Sequence, residues 1–152
     1  MTQISLIDAD YTDSYLEMIT RGKEVMGGLL YGELTARIIG AAYTVHNTLG
    51  ANLTEATYKN ALIVQLRLMD MAVEVEKEIP LSFAKVDVGI QRVDILVEGK
   101  IIIEAKAIRK ISNDHLKKLL ATLRNSGHQL GLIINFGASV HVKRVINTIQ
   151  NK

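Results

Sequence analysis

The sequence predicts an α/β fold in which a mixed β-sheet is flanked by α-helices. Its 152 residues fit one domain, because domains usually contain roughly 100–200 residues. Some segments repeat apolar residues at helical spacing, whereas others are strand-length runs rich in β-branched residues. The predicted order is two helices, three strands, a helix, a strand and a final helix, and this order is typical of helices packed on a sheet.

Two helices are predicted before the strands. In the first, over residues 33–49, apolar residues recur every three or four positions, and Gly50 follows where helices often stop. The second is predicted over about residues 53–69, with Asn52 as its N-cap and Glu55 three positions later. An N-cap residue followed by Glu at this distance is the pattern of a capping box.

The remaining elements follow from changes in the apolar period. Val and Glu alternate over residues 73–76, and the segments IPLSFAKVDVGIQRVDILV and IIIEAKAI are typical of strands. A third helix is predicted over 113–125. The nearly wholly apolar segment 130–136 is predicted to be a strand inside the sheet. Residues 140–150 are predicted to close the chain as a helix, because their apolar residues recur at helical intervals.

Composition excludes several classes of function. Without cysteine the chain can hold no disulfide, thiolate zinc site or iron–sulfur cluster, and it has no cysteine nucleophile. It contains neither a G-x-x-x-x-G-K-[ST] loop nor a G-x-S-x-G motif. No apolar stretch approaches the roughly 18 residues that a membrane helix needs. We therefore expect a cytoplasmic protein with no membrane partner.

Charge is unevenly distributed along the chain. The net charge of +2 combines −6 over residues 1–98 with +8 over residues 99–152. A basic half is the electrostatic pattern expected for a polyanion partner, although charges that happen to cluster on a solvated surface would give the same count. Residues 1–28 are predicted to form an acidic N-terminal arm, separate from a domain at 29–152.

Two adjacent predicted strands bring a pair of carboxylates together. If residues 98–100 form a three-residue loop, Asp94 lies directly opposite Glu104 on the paired strand. One face of this hairpin is then wholly apolar and suited to packing on a helix. The other face carries four charged side chains, Arg92, Asp94, Glu104 and Lys106.

A metal ion is one explanation of this arrangement. Two directly opposed carboxylates repel each other, and a divalent cation bound between them would offset the repulsion. A two-residue turn would instead shift the register by one and put Asp94 and Glu104 on opposite faces. A third interpretation is a solvated outer face, on which Arg92 pairs with Asp94 and Lys106 pairs with Glu104. The metal-site hypothesis therefore depends on the length of the loop.

The pattern Asp94, nine residues, Glu104-Ala105-Lys106 resembles the core motif of the PD-(D/E)xK nuclease superfamily. Residues 30–150 resemble the GxxExxY family within it, in the segments ELTARIIGAAYTVHNTLG, NLTEATYKNAL, RVDILVEGKIIIEAKAI and LGLIINFGASVHVKRVIN. The resemblance implies a restriction-endonuclease-like core. It also implies metal-dependent hydrolysis of phosphodiester bonds in nucleic acid, with DNA favoured over RNA.

The resemblance further implies a role for each residue of the motif. Asp94 and Glu104 would hold Mg²⁺ or Mn²⁺, with the backbone carbonyl of Ala105 as a further ligand. Lys106 would orient or help to deprotonate the attacking water and offset charge on the phosphate. Glu55 would complete the catalytic set as an accessory acid, unless it only completes the capping box. The cations predicted to bind nucleic acid are Arg109, Lys110, Lys117 and Lys118.

Two positions depart from the family pattern. The name-giving glycine corresponds to Asn52 here, whereas Glu55 and Tyr58 match, and we expect Tyr58 to be a core residue rather than part of the site. In related nucleases the next helix often offers Gln and, four residues later, Tyr, where this chain has Lys118 and Thr122. A cation at that position would either help to bind phosphate or weaken metal binding.

Other functions remain compatible with these residues, because a fold does not fix a function. The main alternative is a non-catalytic nucleic-acid-binding or protein-interaction module that retains the nuclease fold. Another is a subunit that acts only when docked to a partner enzyme, with residues 1–28 as the docking segment. A homodimer is expected if both strands of a duplex are cut, because that reaction usually needs two active sites. His115, at the start of the third predicted helix, could approach the site.

Overall fold

The computed structural model describes residues 4–10 and 30–148. The nine described elements are β1 (Ile4–Asp10), α1 (Gly32–Leu49), α2 (Glu55–Leu68), β2 (Val73–Phe83), β3 (Val86–Val97), β4 (Ile101–Lys106), α3 (Asn113–Ser126), β5 (Leu130–Phe136) and β6 (Val140–Asn147). The six described strands form one sheet in the order β1-β6-β5-β4-β3-β2. Only β4 and β5 run parallel, so the sheet is mixed. The predicted α/β architecture is confirmed.

The helices pack on the two faces of the sheet. Side chains alternate along a strand, so β4 sends Ile103 and Ala105 into the cluster under α1 and α2, and Ile102 into the cluster under α3. Glu104 is two residues from Ile102 and therefore faces α3. The carboxyl ends of the parallel strands β4 and β5 lie at the same edge of the sheet.

The start of α2 differs from the sequence-based expectation. Thr54, not Asn52, is the N-cap, and its side chain accepts a hydrogen bond from the backbone N–H of Thr57. Glu55 is thus the first helical residue, so its assignment to a capping box is wrong. Asn52 instead has a φ of 67°, in the left-handed region that glycine adopts readily and asparagine tolerates better than most residues.

Tyr58 is a core residue, as predicted, and its side chain is wholly buried. Its ring stacks on Phe136 with centroids 4.7 Å apart. Its hydroxyl donates to the Gly50 carbonyl at 2.5 Å and accepts from the Leu53 N–H at 3.2 Å. These bonds fix the turn that leads into α2.

Replacing Tyr58 with phenylalanine is expected to lower the free energy of unfolding by about 1–2 kcal/mol, because it leaves two backbone groups of the turn without their partner. Chemical denaturation would measure the change. Tyr31→Phe is the matched control, because it also removes one tyrosine hydroxyl and retains the ring, which lies beneath the Lys100 ammonium. Equal stability losses in the two variants would contradict the structural role of the Tyr58 hydroxyl.

The predicted closing helix is wrong. Residues 140–147 form β6, which pairs with β5 on one side and with β1 on the other. Val142 packs in the cluster under α1 and α2, whereas Val145 packs in the cluster under α3. Burial on both faces removes the simple alternation of a half-exposed strand, and the remaining apolar spacing fits a helix equally well. Residues 149–150 lie outside the described part of the chain.

The predicted N-terminal arm is described only in part. Residues 4–10 form β1, an edge strand paired antiparallel with β6. Residues 11–28 lie outside the described residues, so the division of the chain at residue 28 stays a prediction. Within the described ranges, no helix combines the length and apolar composition needed to cross a membrane.

Candidate active site

The loop between β3 and β4 sets the position of the two carboxylates. It contains residues 98–100, and Val97 pairs with Ile101 across it. Of the two loop lengths left open by the sequence, the three-residue loop is therefore the one formed, and the two-residue turn is excluded. Continued by three positions, this register places Asp94 opposite Glu104.

The side chains of Asp94 and Glu104 lie close enough together for the negative charge of Asp94 to act on Glu104. Like charges at this distance favour the protonated form of one of the two carboxyl groups. Burial, and next the negative charge of Asp94, raise the pKa of Glu104 to about 7, although the nearby ammonium groups of Lys106 and Lys118 act in the opposite direction. Burial and the neighbouring carboxylate therefore both disfavour the charged form of Glu104, and a bound cation would offset the same repulsion.

β3 is irregular beside the carboxylate pair. Val93 packs in the cluster under α3, whereas Ile95 packs in the cluster under α1 and α2. Residues two apart on a regular strand share a face, so the strand changes face around Asp94. Arg92 consequently leaves the predicted charged face, and its Nη2 lies 3.1 Å from the Glu78 carboxylate. The interpretation in which Arg92 pairs with Asp94 is therefore wrong.

The opposite wall of the site is formed by α3. Between β4 and α3 lies a small pocket whose apolar floor is Leu119 and Ile133. We call it the β4–α3 pocket; its polar lining residues are Glu104, Lys106, His115, Lys118 and Thr122. The position of Lys118 on this wall agrees with its influence on the pKa of Glu104.

A side-chain bridge that the sequence did not reveal ties β3 to this wall. Gln91 Nε2 donates to Thr122 Oγ1 at 2.5 Å, and this hydroxyl donates to the Lys118 carbonyl at 3.0 Å. Thr122 is almost completely buried. Regular alternation would have pointed Gln91 away from the charged face, so only knowledge of the irregularity at Asp94 could have identified it.

The structure places the other predicted site residues on different layers of the domain. Glu55 is exposed at the start of α2, on the opposite layer of the domain from α3. Among the side chains described over residues 30–148, no three acidic or histidine groups are close enough together to hold a metal ion, so Glu55 does not join the carboxylate pair directly. The predicted nucleic-acid-binding residues are all exposed, on the segment after β4 and on α3: Arg109, Lys110, Lys117 and Lys118.

The donor atoms present suit a hard divalent cation. Mg²⁺ prefers oxygen ligands, commonly one or two carboxylates, and keeps several waters. Asp94 and Glu104 supply two adjacent carboxylates, and Ala105 supplies a backbone carbonyl beside them. The raised pKa of Glu104 indicates that added positive charge would stabilise the pair, whether a proton or a cation supplies it. The residues therefore fit a metal of this class.

Comparison with known protein families gives one match. Residues 32–147 match the sequence model of the PD-(D/E)XK nuclease superfamily. The matched range runs from α1 to the end of β6 and includes every residue of the β4–α3 pocket, and the match agrees with the predicted restriction-endonuclease-like fold. A search of curated proteins and a search of solved structures found no match.

Proposed function

The chain belongs to the PD-(D/E)XK nuclease superfamily, and we propose that it is a metal-dependent nuclease that hydrolyses phosphodiester bonds. Its catalytic centre would consist of Asp94, Glu104 and Lys106. The observation that supports this most strongly is the placement of Glu104, Lys106 and Lys118 around one pocket, with Asp94 opposite Glu104 when the strand register is continued. Such a centre combines oxygen ligands for a cation with cationic groups for a phosphate.

Asp94, Glu104 and the carbonyl of Ala105 would hold Mg²⁺ or Mn²⁺. When bound, such a cation lowers the pKa of the attacking water and stabilises charge that develops on the phosphate. The carboxylates contribute by fixing its position, because β3 and β4 are paired immediately before them and α3 closes the pocket. No rearrangement of the backbone is then needed to assemble the ligands.

Lys106 would act on the water and on the phosphate. It lies two residues after Glu104 on the same face of β4 and lines the same pocket. There its ammonium group would orient the water and offset the negative charge of the phosphate. Glu55 would assist as an accessory acid. Tyr58, one turn further along α2, stacks on Phe136, the residue at which β5 ends. The start of α2 therefore lies towards the edge of the sheet at which β4 also ends.

The exposed cations around the pocket would hold the nucleic-acid backbone. Each phosphate neutralised by Lys or Arg releases counterions, so binding should weaken as salt is raised. Replacing Lys117 with alanine is expected to weaken binding similarly for all sequences and to lower the slope of log K against log salt by about 0.9 for duplex DNA. Fluorescence anisotropy at several salt concentrations would measure this, with the remote exposed Lys85→Ala as the control. Equal slopes for the two variants would show that Lys117 does not contact the nucleic-acid backbone.

The function can be tested with labelled single-stranded DNA, duplex DNA and RNA in Mg²⁺, in Mn²⁺ and in EDTA. We expect cleavage with either metal, strongest for DNA, and none in EDTA. Cleavage that persists in EDTA would contradict the proposal. Salt-sensitive binding without any cleavage would instead support the second candidate function, a non-catalytic nucleic-acid-binding module. That candidate is favoured by one observation, the Lys118 ammonium that acts on Glu104 where a metal would bind.

Lys118 is expected to weaken metal binding, because its ammonium group already stabilises the negative charge of Glu104 that a bound cation would otherwise stabilise. Lys118→Gln should therefore tighten Mn²⁺ binding by roughly threefold to tenfold. Isothermal titration calorimetry would measure the dissociation constant. Lys117→Gln, which removes the neighbouring charge outside the pocket, is the matched control. The same tightening in both variants would indicate a general charge effect rather than a local one.

Finer assignments form part of the same proposal. We place the chain in the GxxExxY family, because Asn52 stands in the left-handed conformation at the position of the family's glycine. Glu55 then begins α2, and Tyr58 is buried. We further propose DNA as the substrate, a homodimer as the form that cuts duplex DNA, and the cytoplasm as the location.

A further inference from the structure

His115 lines the β4–α3 pocket with Glu104, Lys106 and Lys118, but the catalytic centre proposed above gives it no role. It is the third residue of α3 and belongs to the cap of that helix. Ser112 is the N-cap, and its hydroxyl accepts from the His115 backbone N–H at 3.4 Å. The side chain of His115 in turn reaches back to the Ser112 backbone. These contacts hold the imidazole ring beside the N-terminus of α3.

The cap determines which ring nitrogen carries the proton. The Ser112 backbone N–H donates to His115 Nδ1 at 2.9 Å. A backbone N–H can only donate, so Nδ1 is an acceptor and the neutral ring has its proton on Nε2. Among the described residues, no protein group forms a hydrogen bond with Nε2. The pocket therefore contains a neutral N–H donor of fixed orientation that the protein itself does not use.

The chemistry around His115 indicates what this donor would bind. It does not serve as a metal ligand together with Asp94 and Glu104, because no such group of three exists among the described residues. The side chains usual at this capping-box position are Glu and Gln, and Glu would add a third negative charge to the pocket. A histidine supplies the same cap acceptor and leaves an N–H on a side chain that lines the pocket together with two lysines. Donors of this kind, placed next to ammonium groups, match the oxygens of a phosphate.

We propose that His115 is a substrate-binding residue of this site, whose Nε2–H donates a hydrogen bond to a phosphate oxygen of the bound nucleic acid, next to Lys118. This inference rests on the proposed function for the identity of its ligand, but it concerns binding rather than cleavage. It predicts that His115 contributes to affinity as a neutral donor. It therefore differs from the surface lysines, which contribute through their charge.

Binding of a fluorescein-labelled DNA oligonucleotide to the full chain, measured by anisotropy in EDTA and in Ca²⁺, tests the inference. His115→Leu removes both the cap acceptor and the donor, and it should weaken binding about tenfold or more. His115→Gln retains an acceptor and an N–H donor and should bind within about threefold of the unmodified protein. Ser112→Ala removes the cap hydroxyl, which also contacts His115 Nδ1 at 2.9 Å, but it keeps the Ser112 backbone N–H that donates to the same nitrogen. It should therefore lower the melting temperature and keep DNA affinity within about threefold.

Salt dependence separates the role of His115 from that of a cation. A neutral donor releases no counterion, so His115→Leu should leave the slope of log K against log salt unchanged, whereas Lys117→Ala should lower it. Unchanged affinity in His115→Leu would overturn the inference. So would an affinity loss of the same size in Ser112→Ala, because the effect would then come from the helix cap.

The outcomes also distinguish this inference from the proposed nuclease activity. If the unmodified protein binds DNA without cutting it and His115→Leu loses affinity as expected, the inference stands and the nuclease proposal fails. If the unmodified protein cuts DNA and His115→Leu binds and cuts equally well, the nuclease proposal stands and the inference fails. Full binding by His115→Gln alongside weak binding by His115→Leu supports the inference directly.

Discussion

Replacing Asp94 with asparagine is expected to lower metal-dependent cleavage on the order of a thousandfold or more, while the protein remains folded. The substitution removes one of the two carboxylates that would fix the cation and leaves the shape of the strand unchanged. It also removes the negative charge that helps to raise the pKa of Glu104. At neutral pH the variant should therefore be slightly more stable than the unmodified protein, a combination that a purely structural residue would not give.

Cleavage rates in Mg²⁺ and melting temperatures at pH 8, measured on the same preparations, would test both parts of this expectation. Asp87→Asn is the matched control, because it makes the same chemical change on the same strand at an exposed position near the other end. Lys106→Met, with the exposed Lys85→Met as its own control, should also abolish cleavage. Full activity in Asp94→Asn would contradict the assignment of the carboxylate pair to the catalytic centre.

The carboxylate pair could be predicted from the sequence because its placement depends on a local quantity. The loop of residues 98–100 fixes the register of β3 against β4, and a register shift by one would have separated Asp94 from Glu104. The raised pKa of Glu104 depends first on burial, which no local pattern gives. The pairing was therefore predictable, whereas the electrostatic state of the pair required the packing of α3 against the sheet.

Other features could not be predicted because they depend on contacts between distant elements. The change of face at Asp94 brings Gln91 rather than Arg92 towards α3, and a sequence pattern assumes regular alternation. Residues 140–147 lie between β5 and β1, and burial on both sides hides the period of a strand. Four of these eight residues are β-branched, which was the only local signal against a helix.

The start of α2 shows how two local rules can compete. Asn52 and Thr54 are both good N-cap residues, and the spacing to Glu55 favoured Asn52 through the capping-box pattern. The hydroxyl of Tyr58 contacts the Gly50 carbonyl and the Leu53 N–H, which holds the intervening turn in a conformation that includes a left-handed residue. These hydrogen bonds of the Tyr58 hydroxyl thus favour Thr54 over Asn52 as the N-cap.

Stability is expected to fall as the pH rises through the range in which Glu104 loses its proton. The pKa of Glu104 is raised from 4.5 to about 7 in the folded protein. Between these values the folded state binds one more proton than the unfolded chain, so the free energy of unfolding decreases with pH. The raised pKa corresponds to a loss on the order of a few kcal/mol, which is complete about one pH unit above 7. Glu104→Gln has no titratable group at this position, so its free energy of unfolding should not fall over this pH range.

Denaturation at pH 5, 6, 7 and 8 would measure this difference, with the exposed Glu33→Gln as the control for loss of a carboxylate. The stability advantage of Glu104→Gln over the unmodified protein should grow with pH, whereas that of Glu33→Gln should not. A cation and the proton of Glu104 compete for the same carboxylate, so Mn²⁺ should raise the melting temperature of the unmodified protein more at pH 8 than at pH 6. Glu104→Gln should lose most of this shift. If Mn²⁺ stabilised both proteins equally at both pH values, the proton and the metal could not share a site, and the carboxylate pair would not be the metal-binding position.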